Sequence, residues 1–108
     1  IGRLENLREL YVMNNPMTHL PDSIGNLSNL RILSLRNNQL THLPDSIGDL
    51  QQLYQLDLRA NQLQYLPDSI QYLPKLEKLD LRWNRGLDLP SWIADLKARG
   101  CLVYDPLL

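Results

Sequence analysis

Leucines recur along this chain in a fixed rhythm, with polar residues filling the gaps. Leu10, Leu33, Leu56, Leu79 and Leu102 stand 23 residues apart, and Val12, Leu35, Leu58 and Leu81 keep the same step. So do Leu7, Leu30, Leu53 and Leu76, preceded by Leu4, Leu27, Leu50, Leu73 and Leu96. Within a period, Leu33-Ser34-Leu35 alternates apolar and polar residues, the period-two mark of a strand with one buried face. An asparagine follows each such stretch, at Asn15, Asn38, Asn61 and Asn84, where an amide can satisfy backbone groups that a sharp bend leaves unpaired. Leu-Pro-Asp-Ser-Ile comes next, at 20–24, 43–47 and 66–70, loosened to Leu89-Pro90-Ser91-Trp92-Ile93 in the last period. Ile24, Leu27 and Leu30 lie three apart, which predicts a short helical turn over 24–30, and Pro21 suits its start because no amide hydrogen is needed there.

Each period therefore predicts one strand, one bend and one short helix. No single period can bury its leucines alone, so successive periods must stack as coils. Their strands would run parallel, about 4.8 Å apart. The wider helical side then curves the stack and leaves the sheet on the concave face. By count, about four coils occupy 1–87 and an end piece occupies 88–108.

Leu30-x-x-Leu33-x-Leu35-x-x-Asn38-x-Leu40 and Leu53-x-x-Leu56-x-Leu58-x-x-Asn61-x-Leu63 carry a resemblance to the leucine-rich-repeat family. The added Leu-Pro-x-x-Ile makes the chain similar to its 23-residue class, found in intracellular Ras-pathway scaffolds, plant intracellular proteins and bacterial proteins including secreted effectors. The resemblance implies an α/β fold: a right-handed solenoid with a parallel concave β-sheet and short convex helices. It also implies a protein-interaction module that binds its partner on the concave face. The alternative is a substrate-recruiting domain of a larger enzyme, such as a bacterial kinase or ubiquitin-ligase effector.

The two ends differ from the middle. The chain begins at Ile1 in mid-period, so further coils are expected before it. Ile1, Leu4, Leu7, Leu10 and Val12 would then show an open core edge through which the chain could self-associate. Towards the other end, Arg99 falls on the Leu7 ladder and Tyr104 on the Val12 ladder, where it is expected to plug the core with its hydroxyl in water. Pro106 would stop further pairing, so residues 88–108 are expected to form a capping coil.

Composition narrows the partners. The 108 residues suffice for one domain, and a core without any Phe points to repeated aliphatic packing. A net charge of -1 gives no field for a phosphate backbone, so nucleic acid is not expected. No apolar run spans a bilayer, so no membrane partner is expected either. With Cys101 as the single cysteine, no intrachain disulfide can form, and the compartment reads as reducing, hence cytoplasmic.

Residues between the strand leucines should form rungs across the coils. The first is Glu9, Ile32, Gln55, Lys78 and Cys101; the second is Tyr11, Ser34, Asp57, Asp80 and Val103. The third is Met13, Arg36, Arg59, Arg82 and Asp105, with Asn14, Asn37, Ala60 and Trp83 just beyond. Diagonal pairing would give a self-neutralising lattice of Arg36, Asp57, Arg59, Asp80 and Arg82, closed by Asp105. Alternatively the arginines anchor an acidic or phosphorylated segment, with Arg36 the least compensated because Ser34 stands beside it. Tyr11, Met13, Ile32, Tyr54 and Trp83 are the exposed apolar candidates, and with Arg36, Asp57, Arg59, Asp80 and Arg82 they complete the expected partner-binding set.

Chemistry is sparse by comparison. His19 and His42 share a rung with Tyr65 and Asp88, but a straight ladder spreads its members over successive coils and cannot converge on a metal ion. Ser23, Ser46 and Ser69 repeat with the coil as helix-start residues, and Asp22, Asp45 and Asp68 suit the dipole there. Neither a Ser-His-acid set nor a Gly-rich phosphate loop stands out, so no enzyme activity and no cofactor are expected.

Overall fold

A computed structural model describes residues 5–106. Ile1 and Leu4 of the expected open edge lie outside the described residues. Five strands, β1 (Glu9–Tyr11), β2 (Ile32–Ser34), β3 (Gln55–Asp57), β4 (Lys78–Asp80) and β5 (Leu102–Tyr104), form one parallel sheet in chain order. Leu10, Leu33, Leu56 and Leu79 pair in register from strand to strand, so the leucine ladder of the sequence is a physical column. Behind it Leu27, Leu30, Leu50, Leu53 and Leu73 are fully buried and complete one continuous core. Leu7, Leu10 and Val12 pack against that core half-buried.

A column of asparagines holds the bend after each strand. The Asn61 amide donates to the Leu35 carbonyl at 2.9 Å and to the Leu58 carbonyl at 3.1 Å, while its Oδ1 accepts from the Leu40 amide at 3.0 Å. Asn38 and Asn84 repeat the arrangement one coil to either side. All three are buried, and each serves two neighbouring coils at once. Only a short side chain with both donor and acceptor can do this, which is why asparagine recurs here.

The side opposite the sheet carries 3-10 turns at Asp22–Asn26, Asp45–Asp49 and Asp68–Tyr72, each entered through a proline. The expected helix over 24–30 is thus shorter, earlier and tighter than its sequence suggested. Only Ile24 lies inside the first turn, and the three-residue step is carried on beyond it by the Leu27 amide bonding the Ile24 carbonyl at 3.1 Å and the Leu30 amide bonding the Leu27 carbonyl at 3.0 Å, which leaves all three side chains fully buried. The turns also stack closely. A Cβ at Gly25 would lie 2.8 Å from the Ser46 carbonyl oxygen, and one at Gly48 would overlap the Ser69 Cβ.

The last coil breaks the period. It carries α1 (Ile93–Ala98), an α-helix that stops at Gly100 in the left-handed region (φ 99). The Gly100 amide bonds the Lys97 carbonyl at 3.0 Å and the Cys101 amide bonds the Leu96 carbonyl at 3.0 Å, the paired closure of a Schellman stop. This ending shifts the following strand by one residue: Leu102 pairs with Lys78, Val103 with Leu79 and Tyr104 with Asp80. Five expectations change as a result. Cys101 leaves the sheet face and is buried, Leu102 leaves the leucine column and is 60% exposed, and Val103 takes its place there. Tyr104 turns from the core to the sheet face, and Asp105 is drawn from the arginine rung to Lys97, 3.5 Å away. Arg99, on an apolar ladder in the sequence, sends its guanidinium to the carbonyls of Gln71 and Leu73 at 3.3 and 2.5 Å.

Candidate binding face

The central strands set two aspartates and two arginines on the sheet face. Arg59 grips Asp57 of its own coil with a two-pronged contact, Nε to Oδ1 at 3.0 Å and Nη2 to Oδ2 at 2.7 Å. Its backbone amide also donates to Asp57 Oδ1 at 3.1 Å. Arg82 grips Asp80 identically, at 2.9 and 2.6 Å. Arg59 Nε also reaches Asp80 Oδ2 at 3.3 Å, which joins the two coils. Asp80 is only 2% exposed, so it is the buried keystone of the network. Burial by itself pushes the Asp57 carboxyl up. Hydrogen bonds from the Arg59 side chain and backbone, with the Arg59 and Arg36 charges, outweigh that and hold it below the usual carboxylate range.

These pairs are two residues apart within one coil, with a single cross-coil ion pair among the described residues, rather than the wholly diagonal lattice expected. Arg36 stands apart: among the described residues it makes no carboxylate contact, and its guanidinium lies 5.7 Å from the centre of the Trp83 ring. Arg82 carbon Cζ lies 5.9 Å from that ring and 4.8 Å from the ring of Tyr104, while Lys78 Nζ lies 5.5 Å from Tyr104. Cations and rings thus alternate across the face as Arg36, Trp83, Arg82, Tyr104 and Lys78. Sequence reasoning missed Tyr104 as a face residue. The signal was Gly100, whose place after an apolar helical stretch marks an α-helix stop and an extra residue in the coil.

Of the expected partner-binding residues, Tyr11, Met13, Ile32, Asp57, Arg59 and Asp80 line one hollow of about 260 Å³ on the sheet. Its apolar end is open, with Tyr11 53% and Met13 41% exposed. The Tyr11 hydroxyl donates to Glu9 Oε1 at 3.0 Å, and that bond, ahead of any burial, raises the tyrosine pKa. Tyr54 is not brought to this hollow; it lies at the edge where the strands begin, in a groove with Arg31, Lys75 and Arg99. Trp83 lies at the opposite edge, where the strands end.

His19 and His42 do meet, edge to face with ring centres 5.0 Å apart, and His42 stacks on Tyr65 at 6.3 Å. Each imidazole Nδ1 faces the hydroxyl of the preceding threonine, at 2.9 and 3.1 Å, so the row is a packed aromatic edge. Burial pushes the Cys101 thiol pKa up, which keeps it in the unreactive thiol form.

The family profile for the leucine rich repeat matches residues 5–63 and again 44–85. Among solved structures, a leucine-rich-repeat protein of Leptospira interrogans is 34% identical with a TM-score of 0.82, over 96% of this chain and 26% of its own. The ectodomain of the receptor kinase SOBIR1 from Arabidopsis thaliana is 26% identical with a TM-score of 0.77, over 97% of this chain and 59% of its own. The plant peptide hormone receptor RGFR1, in complex with RGF2, is 30% identical with a TM-score of 0.77, over 99% of this chain and 18% of its own. The chain therefore spans about a quarter of the length of the Leptospira protein. No curated protein matches it. With the profile covering most of its length and the leucine column and asparagine spine in place, the chain belongs to the leucine-rich-repeat family.

Proposed function

We propose that this chain binds a protein partner on its sheet face. The observation that carries the reading is the half-open hollow in which Tyr11, Met13 and Ile32 stand beside the Arg59–Asp57 pair and Asp80. An apolar pocket flanked by a rigid, already neutralised ion network can take an anchoring side chain without first rearranging its own charges. Leucine-rich-repeat domains are generally protein-interaction modules, and the plant receptor that resembles this chain was solved with a peptide hormone bound. The partner's apolar anchor enters the hollow, and its polar flank meets the outer edges of the ion pairs. Of the rung arginines Arg36, Arg59 and Arg82, Arg36 is the one whose fork is not spent on a carboxylate among the described residues, so it contributes most of the three to an acidic flank.

A photo-crosslinking amino acid at Gln55, on the sheet face, should capture a discrete protein in the native cell. The same group at Ser23, on the 3-10 side, should not. Ile32→Asp should abolish the Gln55 adduct. Equal capture from Ser23, or an adduct indifferent to Ile32→Asp, refutes docking on this face.

A further inference from the structure

Where each coil leaves the sheet, its backbone enters the left-handed region, at Asn14 (φ 60), Asn37 (φ 59), Ala60 (φ 57) and Trp83 (φ 64). The amide of each donates onward to the next coil, to the carbonyls of Arg36, Arg59, Arg82 and Pro106 respectively. Asparagine accepts this conformation because its short side chain bonds locally, whereas a bulky residue is strained there. Trp83 gains little burial in return, since it remains 46% exposed. Strain held by an exposed aromatic ring points to a use for the ring. The ring is also fixed in place. Ala60, one coil back in the same row, leaves space beside it, and Arg36 and Arg82 brace it at 5.7 and 5.9 Å.

A second row runs parallel to the first, through Pro16, Gln39, Gln62 and Arg85. Between the rows lies an open shelf of about 530 Å³, with Asn14, Asn37, Gln39, Gln62 and Trp83 in its walls. Its described lining holds no charged side chain, although the sheet face beside it is heavily charged. Asn37 is already turned to Asn14, its Nδ2 donating to Oδ1 at 2.6 Å, while Gln39 and Gln62 are exposed.

A primary amide both donates and accepts, and so does a hydroxyl. A ligand rich in uncharged hydroxyls can match such a shelf, while an ionic group seated on it would meet no counter-charge among the side chains that line it. A pyranose ring carries hydroxyls around its rim and presents an apolar C–H face that fits an exposed indole. We infer that the shelf binds a neutral oligosaccharide, with one sugar ring against Trp83 and its hydroxyls held by Gln39 and Gln62. A second hollow of about 510 Å³ shares Gln62 and Trp83 and continues past Arg85 and Gly86, so a linear saccharide has room on both sides of the indole, with one guanidinium at the far side. The site is separate from the sheet-face hollow and stands whether or not a protein docks there.

The test is calorimetric titration of the folded chain with neutral hexasaccharides of glucose, mannose, galactose, xylose and N-acetylglucosamine. At least one should bind, with an affinity that changes little between low and high salt. Trp83→Asn should weaken it by about tenfold or more, while melting no lower than the parent, because asparagine suits the left-handed backbone. Gln62→Ala should also weaken binding, and Tyr72→Ala, which removes an exposed aromatic ring elsewhere, should not. Failure of every sugar to bind overturns the inference. So does binding that survives Trp83→Asn, or that collapses with salt as an acidic peptide's would.

Discussion

Replacing Asn61 with aspartate changes one atom's chemistry and almost none of its size. In the native protein its Nδ2 lies 2.9 Å from the Leu35 carbonyl oxygen and 3.1 Å from that of Leu58, while Oδ1 accepts from the Leu40 amide. Asn61→Asp keeps the acceptor but turns the donor into a second oxygen aimed at two carbonyl oxygens. The Leu35 carbonyl keeps its bond from Asn38 and the Leu58 carbonyl keeps its bond from Asn84, so the two lost bonds cost about 0.5–1.5 kcal/mol each, about 1–3 kcal/mol together, before charge repulsion is added. For a domain of this size, a loss of about 2 kcal/mol lowers Tm by roughly 8 °C or more. The sign of the pH effect follows from the same geometry. Burial against acceptors raises the folded pKa of the introduced carboxyl above its unfolded value of about 3.9. The charge penalty is therefore full above the folded pKa and shrinks as pH falls through it. Urea unfolding of variant and parent side by side, at pH 7 and at mildly acidic pH, reads both effects. A variant within about 0.5 kcal/mol of the parent at pH 7, or a gap that fails to narrow on acidification, refutes the view that the asparagines stitch coil to coil.

Other predictions rest on different contacts. Gly48→Ala should destabilise by about 1–3 kcal/mol because its Cβ meets Ser69, and Ser69→Gly should recover part of that loss in a double-mutant cycle of melting curves. Asp57 has a depressed pKa, so its stabilising contribution is present above about pH 4 and is lost as pH falls through the lower folded value; Asp57→Asn should flatten that acid limb in pH-dependent unfolding. Asp80→Ala should cost more than Asp57→Ala, because Asp80 is the more deeply buried and serves both arginines, as paired chemical denaturation curves would show. Gly100→Ala should cost about 1 kcal/mol by forcing a Cβ into the left-handed region at the helix stop, measured the same way.

The strand register was legible because it depends on one quantity, the spacing of buried leucines, and every coil repeats it. The asparagine column was legible as a bend residue, but its reach into the neighbouring coil was not, since that depends on how closely coils stack. The inward step of Ile24, Leu27 and Leu30 was legible as a spacing of three, but the end of the turn at Asn26, ahead of two of those residues, was not. In the last coil, extrapolating the period put Tyr104 inside and Cys101 outside, and both are reversed. One extra residue flips a strand's faces, so a periodic argument fails wholesale at the first irregular coil. On the binding face, the charged residues could be assigned to rungs, yet the partner of each arginine could not. Asp57 and Arg59 close on each other two residues apart because the bend turns the arginine back along its own strand. That choice leaves Arg36 to Trp83, two coils away, a contact with no sequence signal at all.

Among the described residues the strands and helices pack neighbour on neighbour: each strand touches the next, each 3-10 turn touches the next, and α1 rests on the third turn and β5. Such an object behaves as a short one-dimensional chain of cooperative units, where opening an interior coil breaks two interfaces and opening an outer one breaks a single interface. In the 108-residue chain taken by itself, amide protons should then exchange in a graded order, slowest around Leu56 and fastest in β1. The outermost coils can fray and re-form while the middle stays shut.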